Sequence, residues 1–121
     1  MGRKLPLKYR IIVMERKLKL ENTKRVYEYW RGNFARIFIE IYDDSPSECV
    51  LTHLWVDEGL RNKGYGKQIL SEAELIAKEK GCTIAFLKVE HNSWMHVWYL
   101  RCGYTSYRCK DEDGIWLFKA L

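Results

Sequence analysis

Arg61-Asn62-Lys63-Gly64-Tyr65-Gly66 lies between a β-like apolar run, Val50 to Val56, and a long amphipathic helical pattern that starts near Gly66. A strand that ends in such a loop and opens a helix presents several unpaired backbone N–H groups at the positive end of the helix, which is a phosphate site. Gly64 and Gly66 remove the Cβ atoms that would keep an anion off those amides, and Arg61, Lys63 and Lys67 add positive charge around them. The loop therefore predicts a phosphorylated ligand. No third glycine with a ribose-binding acid at the expected distance supports a dinucleotide site, and no G-K-[ST] supports a P-loop.

A second group of residues follows the loop by about thirty positions. Asn92, then Tyr99, then Gly103-Tyr104 form N-x6-Y-x3-G-[FY]. The other reactive residue types form no motif. Cys49, Cys82, Cys102 and Cys109 make no C-x-x-C pair, and His53, His91 and His96 give no zinc-ligand spacing with them, so no metal site is expected. Buried free thiols in a reducing compartment account for the cysteines.

The elements that must position these residues show in the periodicity. Tyr9 to Leu20, Lys24 to Trp30, Phe34 to Tyr42 and Cys49 to Val56 are rich in β-branched and aromatic residues. Short turn-forming groups separate them, beginning with Glu21-Asn22-Thr23, and such links predict an antiparallel meander. From Gly66 the apolar residues Ile69, Leu70, Ala73, Ile76 and Ala77 make one helical stripe, with Glu74 and Lys78 spaced as an exposed i,i+4 pair and Gly81 as a stop. Cys82 to Val89 is nearly continuous in apolar residues, as in a strand buried on both faces. Asn92 or Ser93 can cap a shorter helix that runs through Arg101 to Gly103, and Tyr104 to Cys109 with Ile115 to Phe118 reads as a closing hairpin. The expected fold is α/β with a mixed sheet, in the order β-β-β-β-α-β-α-β-β, and at 121 residues the whole chain, 1–121, is one domain.

Loop and second helix together resemble the GNAT superfamily of N-acetyltransferases, whose acetyl-CoA signature is [RQ]-x-x-G-x-[GA] followed by N-x-x-A-x-x-[FL]-Y-x-x-x-G-F. The resemblance covers Val50 to Tyr104, and departs from the pattern at Met95, where a small residue is usual, and at Tyr104, in place of Phe. It implies that Arg61, Asn62, Lys63, Gly64, Tyr65, Gly66 and Lys67 hold the CoA pyrophosphate and that Asn92 contacts the pantetheine or adenine side. It also implies a bulged strand at Cys49 to Val56, splayed from its parallel neighbour, with Leu54 and Val56 offering backbone contacts to pantetheine and the Val56 N–H serving as oxyanion donor.

Acetyl transfer from a thioester to an amine needs a neutral amine, a polarised carbonyl and a proton for the departing thiolate. A phenol near pKa 10 can protonate a thiolate, and the resemblance puts Tyr99 in that role; Tyr99 is otherwise one more aromatic on a helix that also holds Trp94 and Trp98. His53 is the base candidate: it lies three residues before Val56, where the resemblance implies acidic or histidine residues that touch the acceptor, and imidazole is a side-chain type suited to proton exchange near neutral pH. Strict strand alternation sets His53 on the face opposite Thr52 and Leu54 unless a bulge shifts it. Glu40, Glu48 and Glu90 are weaker candidates, and water alone can serve. No cysteine has the His and acid pattern of a covalent acyl-enzyme, so direct transfer in a ternary complex is expected.

Composition bounds the rest. No apolar run approaches the ~20 residues that span a bilayer, and no signal-peptide core follows the basic N-terminus, which predicts a cytoplasmic protein away from membranes. Residues 1–36 hold eleven Lys/Arg and three Asp/Glu, a net +8, against −3 for the remainder. The alternation in Leu18-Lys19-Leu20 and Arg25-Val26-Tyr27 fits a solvated strand face better than a nucleic-acid surface. The family usually places two helices between its first two strands, forming a wall of the acceptor site, and here only a turn is available. The acceptor cleft is then exposed and suited to a large or peptide-like amine, or a second subunit supplies the wall as a homodimer. The other readings on the same fold are a CoA-binding module without catalysis and a basic nucleic-acid-binding module.

Overall fold

Alternating β-branched and aromatic residues build a meander of four antiparallel strands, β1 (Tyr9–Lys17), β2 (Thr23–Arg31), β3 (Ala35–Tyr42) and β4 (Glu48–Val56). The computed structural model describes residues 9–17, 23–107 and 114–121. Helix α1 (Tyr65–Glu79) leads to β5 (Ile84–Val89), and α2 (Trp94–Arg101) leads to β6 (Thr105–Ser106) and β7 (Ile115–Ala120). The seven strands form one sheet in the order β1-β2-β3-β4-β5-β7-β6, parallel only between β4 and β5. The element order is the expected one.

β1 pairs with β2 from Tyr9↔Arg31 to Lys17↔Thr23, so residues 18–22 are the whole connection and no helix pair intervenes. Part of the expected first turn and first strand, Leu18 to Asn22, and the hairpin residues Arg108 to Asp113 with Cys109, lie outside the described residues; Thr23 belongs to β2.

Period-two burial in β3 sorts the sheet into two faces. Ala35, Ile37, Ile39 and Ile41 are buried, while Arg36, Phe38, Glu40 and Tyr42 between them are half-exposed. Against the buried side α1 packs Ile69, Leu70, Ala73, Ile76 and Ala77, each fully buried large aliphatic contributing about 1.5–3 kcal/mol. α2 packs on the same side through Tyr99, Trp98 and Cys102, so both helices cover one face. The other face carries no helix among the described residues.

That asymmetry corrects two expectations. β5 is not buried on both faces: Ala85, Leu87 and Val89 lie in the core, whereas Phe86 and Lys88 point to the uncovered side, where Phe86 meets Tyr107 and Phe118. Glu74, only 12% exposed, does not make the exposed pair with Lys78. One of its oxygens takes the Lys119 ammonium at 2.9 Å and the other accepts from the Tyr104 hydroxyl at 2.7 Å, joining α1 to β7 and to the end of α2. Cys49 and Cys82 are buried thiols as expected, but Cys102 is half-exposed.

Candidate functional site

β4 is the element on which the site depends. It pairs with β5 only from Glu48↔Ile84 to Val50↔Phe86, and beyond that the two strands part. On its other edge β4 is bulged: Phe38 faces Thr52 and Arg36 faces Trp55, so His53 and Leu54 share the single position opposite Ile37. The extra residue is accommodated by His53, whose φ of 57° is left-handed.

The bulge changes the parity of the strand. His53 does not lie opposite Thr52. Its exposed ring stacks on Phe38 at 4.8 Å, on the same uncovered face as Thr52, whereas Leu54 turns inward against the core. After the bulge, Ala35 pairs with Val56, and the Asp57 N–H donates to the Phe34 carbonyl at 2.7 Å. This pattern marks Ala35 and Val56 as a non-hydrogen-bonded pair, so the Val56 N–H and C=O point away from β3 and into the split beside β5.

A short 3-10 turn (Glu58–Leu60) carries the chain to the glycine loop, and the Nε–H of Arg61 donates to the Val56 carbonyl at 2.9 Å. Gly64 is the N-cap of α1 with φ 85°, and no side chain caps the helix. The first intrahelical bond here runs from the Gln68 N–H to the Gly64 carbonyl, which leaves the N–H groups of Tyr65, Gly66 and Lys67 without helical acceptors. A Cβ on Gly64 would meet nothing within 4 Å, and one on Gly66 would meet Trp98 at 3.6 Å and Val56 at 3.8 Å. Gly64 is thus set by its backbone conformation, and Gly66 sits where strand, helix and α2 converge.

These parts enclose a cleft of about 620 Å³ lined by Leu54, Val56, Arg61, Asn62, Gly64, Tyr65, Gly66 and Lys67 among the expected residues. Lys63 is exposed on the same loop but outside that lining. The cleft also takes in Trp55, Leu60, Trp94, Met95 and Trp98, which sequence reasoning did not assign to it. Met95 had stood out as a bulky residue where a small one is usual; the Trp residues carried no signal beyond their type. Asn92 is exposed, with a left-handed φ of 56°, in the turn before α2, and Ser93 alone is the N-cap, accepting from the His96 N–H at 3.3 Å.

Tyr99 is buried at 6% exposure between Trp98 and Tyr104, with ring centres 4.9 and 5.7 Å away, and is not among the lining residues. Burial, and after it the Cys102 thiol, push its phenol above the ordinary tyrosine range. Tyr99 therefore stays protonated throughout the neutral range. Glu40 is engaged by Lys24 at 3.0 Å and by the Thr52 hydroxyl at 3.4 Å. Burial also raises the Cys49 and Cys82 thiols, the reverse of what a nucleophilic cysteine needs. Among the described residues no three His, Cys, Asp or Glu side chains are grouped to hold a metal ion.

A mixed sheet split between a bulged strand and its parallel neighbour, with a glycine-opened helix at the mouth of the split, is the fold of the GNAT acyl-CoA N-acyltransferases. The family model for the GNAT acetyltransferase domain matches residues 9–106, and the chain belongs to that family. Solved structures agree. An acetyltransferase of Bacillus subtilis in complex with CoA is 22% identical, covering 81% of this chain and 77% of its own, with a TM-score of 0.65. The PaiA N-acetyltransferase of Thermoplasma acidophilum in complex with coenzyme A is 21% identical over 79% of this chain and 60% of its own, with a TM-score of 0.67. An acetyltransferase of Bacillus cereus is 25% identical over 93% and 74%, with a TM-score of 0.62. A search of curated protein sequences found no match. No helix among the described residues is long and apolar enough to cross a membrane.

Proposed function

We propose that this acetyltransferase moves the acetyl group of acetyl-CoA to a primary amine by direct attack in a ternary complex, in the cytoplasm. The observation that carries this reading is the Val56 N–H, aimed into a split whose mouth is the uncapped N-terminus of α1.

The N–H groups of Tyr65, Gly66 and Lys67 hold the pyrophosphate, with Arg61, Asn62, Lys63 and Lys67 around it and Gly64 giving the approach. Backbone groups of Leu54 and Val56 bind pantetheine in the gap as an added strand would, and Asn92, exposed and outside the cleft lining, is assigned to the pantetheine or adenine side. The Val56 N–H donates to the thioester carbonyl oxygen as negative charge grows there. The Tyr99 O–H, which burial keeps protonated at neutral pH, is the assigned hydrogen-bond donor to the departing thiolate, a role that requires it to reach the cleft from its place behind the lining. An alkyl amine near pKa 10.4 reaches the site mostly charged, and its proton leaves to water or to the exposed His53 on the uncovered face.

Calorimetry with acetyl-CoA, followed by a thiol-release screen of amine acceptors, tests the proposal. Binding that Gly64→Glu abolishes, together with acceptor-dependent thiol release, is expected. Absence of binding at high micromolar acetyl-CoA overturns the reading, and a solution mass settles whether the chain acts as a homodimer.

A further inference from the structure

On the uncovered face, the Arg36 guanidinium carbon sits over the rings of Trp30, Phe38 and Trp55, at 5.5, 5.7 and 5.5 Å from their centres. The register explains the arrangement, since Arg36 lies directly between Trp30 on β2 and Trp55 on β4. Rings cover the cation, but they leave its Nε–H unsatisfied. The Nε atom is buried without a hydrogen-bond partner, and among the described residues no carboxylate lies within ion-pair distance. The two acidic neighbours are engaged elsewhere, Glu40 with Lys24 and Thr52, Glu28 with the Trp30 indole N–H at 3.1 Å. A buried donor without an acceptor costs about 1–3 kcal/mol, and Arg36 as a whole is half-exposed, so a ligand oxygen can meet the guanidinium from the uncovered face.

The position of this cation ties it to the transfer site. Trp55 both flanks Arg36 and lines the cleft, and the next residue, Val56, directs its N–H into the split. The split is a gap in the plane of the sheet and so opens to both faces.

We propose that Arg36 with Trp30, Phe38 and Trp55 forms an acceptor subsite for a carboxylate, so that the favoured substrates are amines carrying a carboxylate a few bonds from the nitrogen. This assignment rests on the N-acetyltransferase reading above. A planar carboxylate matches the fork of a guanidinium, and its flat shape suits a slot between rings.

Two measurements test it, one independent of catalysis. Titration of the protein with benzoate should shift the indole N–H resonances of Trp30 and Trp55 saturably, with benzamide inert and Arg36→Met unresponsive. In turnover, Arg36→Met and Arg36→Lys should each raise KM for amino acids at least tenfold, about 1.4 kcal/mol, while KM for the matching carboxamides and for acetyl-CoA stays within about twofold. The Lys variant retains the charge, so its loss reports the planar, stacked fork rather than charge alone. Absence of a benzoate response in a folded protein overturns the subsite, as does saturation by inorganic phosphate without any by benzoate. A dimer whose interface covers these rings, leaving benzoate without effect, overturns it as well. If benzoate binds and no amine is acetylated, the subsite stands and the acetyl-transfer reading fails.

Discussion

Arg61 and Val56 are joined by a hydrogen bond from the guanidinium Nε–H to the backbone carbonyl, 2.9 Å long. The bond folds the glycine loop back onto the end of β4, so the loop and the split are tied together. The same residue thus supplies charge to the cleft and fixes its geometry. Arg61→Ala should weaken acetyl-CoA binding about tenfold, the worth of one charge-assisted hydrogen bond of about 1.5 kcal/mol, as read by calorimetry. Arg61→Lys should recover only part of that loss, because the Nε–H is gone.

Gly66 offers a cleaner separation of stability from binding. A Cβ there makes ordinary contacts with Trp98 and Val56, and the position is inside the first turn of α1. Gly66→Ala should raise stability by about 0.5–1 kcal/mol in urea unfolding, the usual gain over glycine in a helix, with acetyl-CoA affinity kept within a few-fold.

The left-handed backbone at His53 makes the bulge sensitive to residue type. His53→Gly should be neutral or slightly stabilising, whereas His53→Val, β-branched at a positive φ, should cost about 1–2 kcal/mol or move the bulge. Thermal unfolding reads the cost, and a fall in turnover beyond the stability loss reports the moved Val56 N–H.

Tyr99→Phe should lower turnover about a hundredfold or more while leaving acetyl-CoA affinity unchanged; equal turnover across pH would remove Tyr99 as the acid. Tyr99 also belongs to a set. Burial first, and then the Glu72 carboxylate for Tyr29 and the Glu74 carboxylate for Tyr104, push these phenols up as well. The folded chain therefore holds tyrosine protons that the unfolded chain releases near pH 10. Their stabilising contribution is complete below that pH and declines as pH rises above it, so melting temperature should fall steadily from about pH 10 upward.

The order of elements and the glycine-opened junction between β4 and α1 were legible because both are local. Period two along Phe34 to Tyr42, period 3.6 from Ile69 to Ala77, and two glycines at a strand-to-helix junction each act within a few residues. The parity at His53 was not, since a bulge is a mismatch of register with β3 and leaves no mark in β4 by itself. Glu74 was misplaced for the same reason: its partners Tyr104 and Lys119 are thirty and forty-five positions away, and i,i+4 spacing to Lys78 was the only relation visible locally. Trp94 and Trp98 reach the cleft through the packing of α2, which their sequence neighbourhood does not encode, whereas Trp55 and Leu60 adjoin residues already assigned to it.

With both helices on one side of the sheet, each of these strands carries two independent texts. In β3, Ile37, Ile39 and Ile41 answer to the core, and a change there is measured in lost folding. Arg36, Phe38 and Glu40, interleaved with them, answer to whatever meets the bare side. If the acceptor meets that side, as proposed above, substitutions at the second set retune the choice of acceptor while the core stays as it is, so a lineage built on this frame can drift in specificity without first being destabilised.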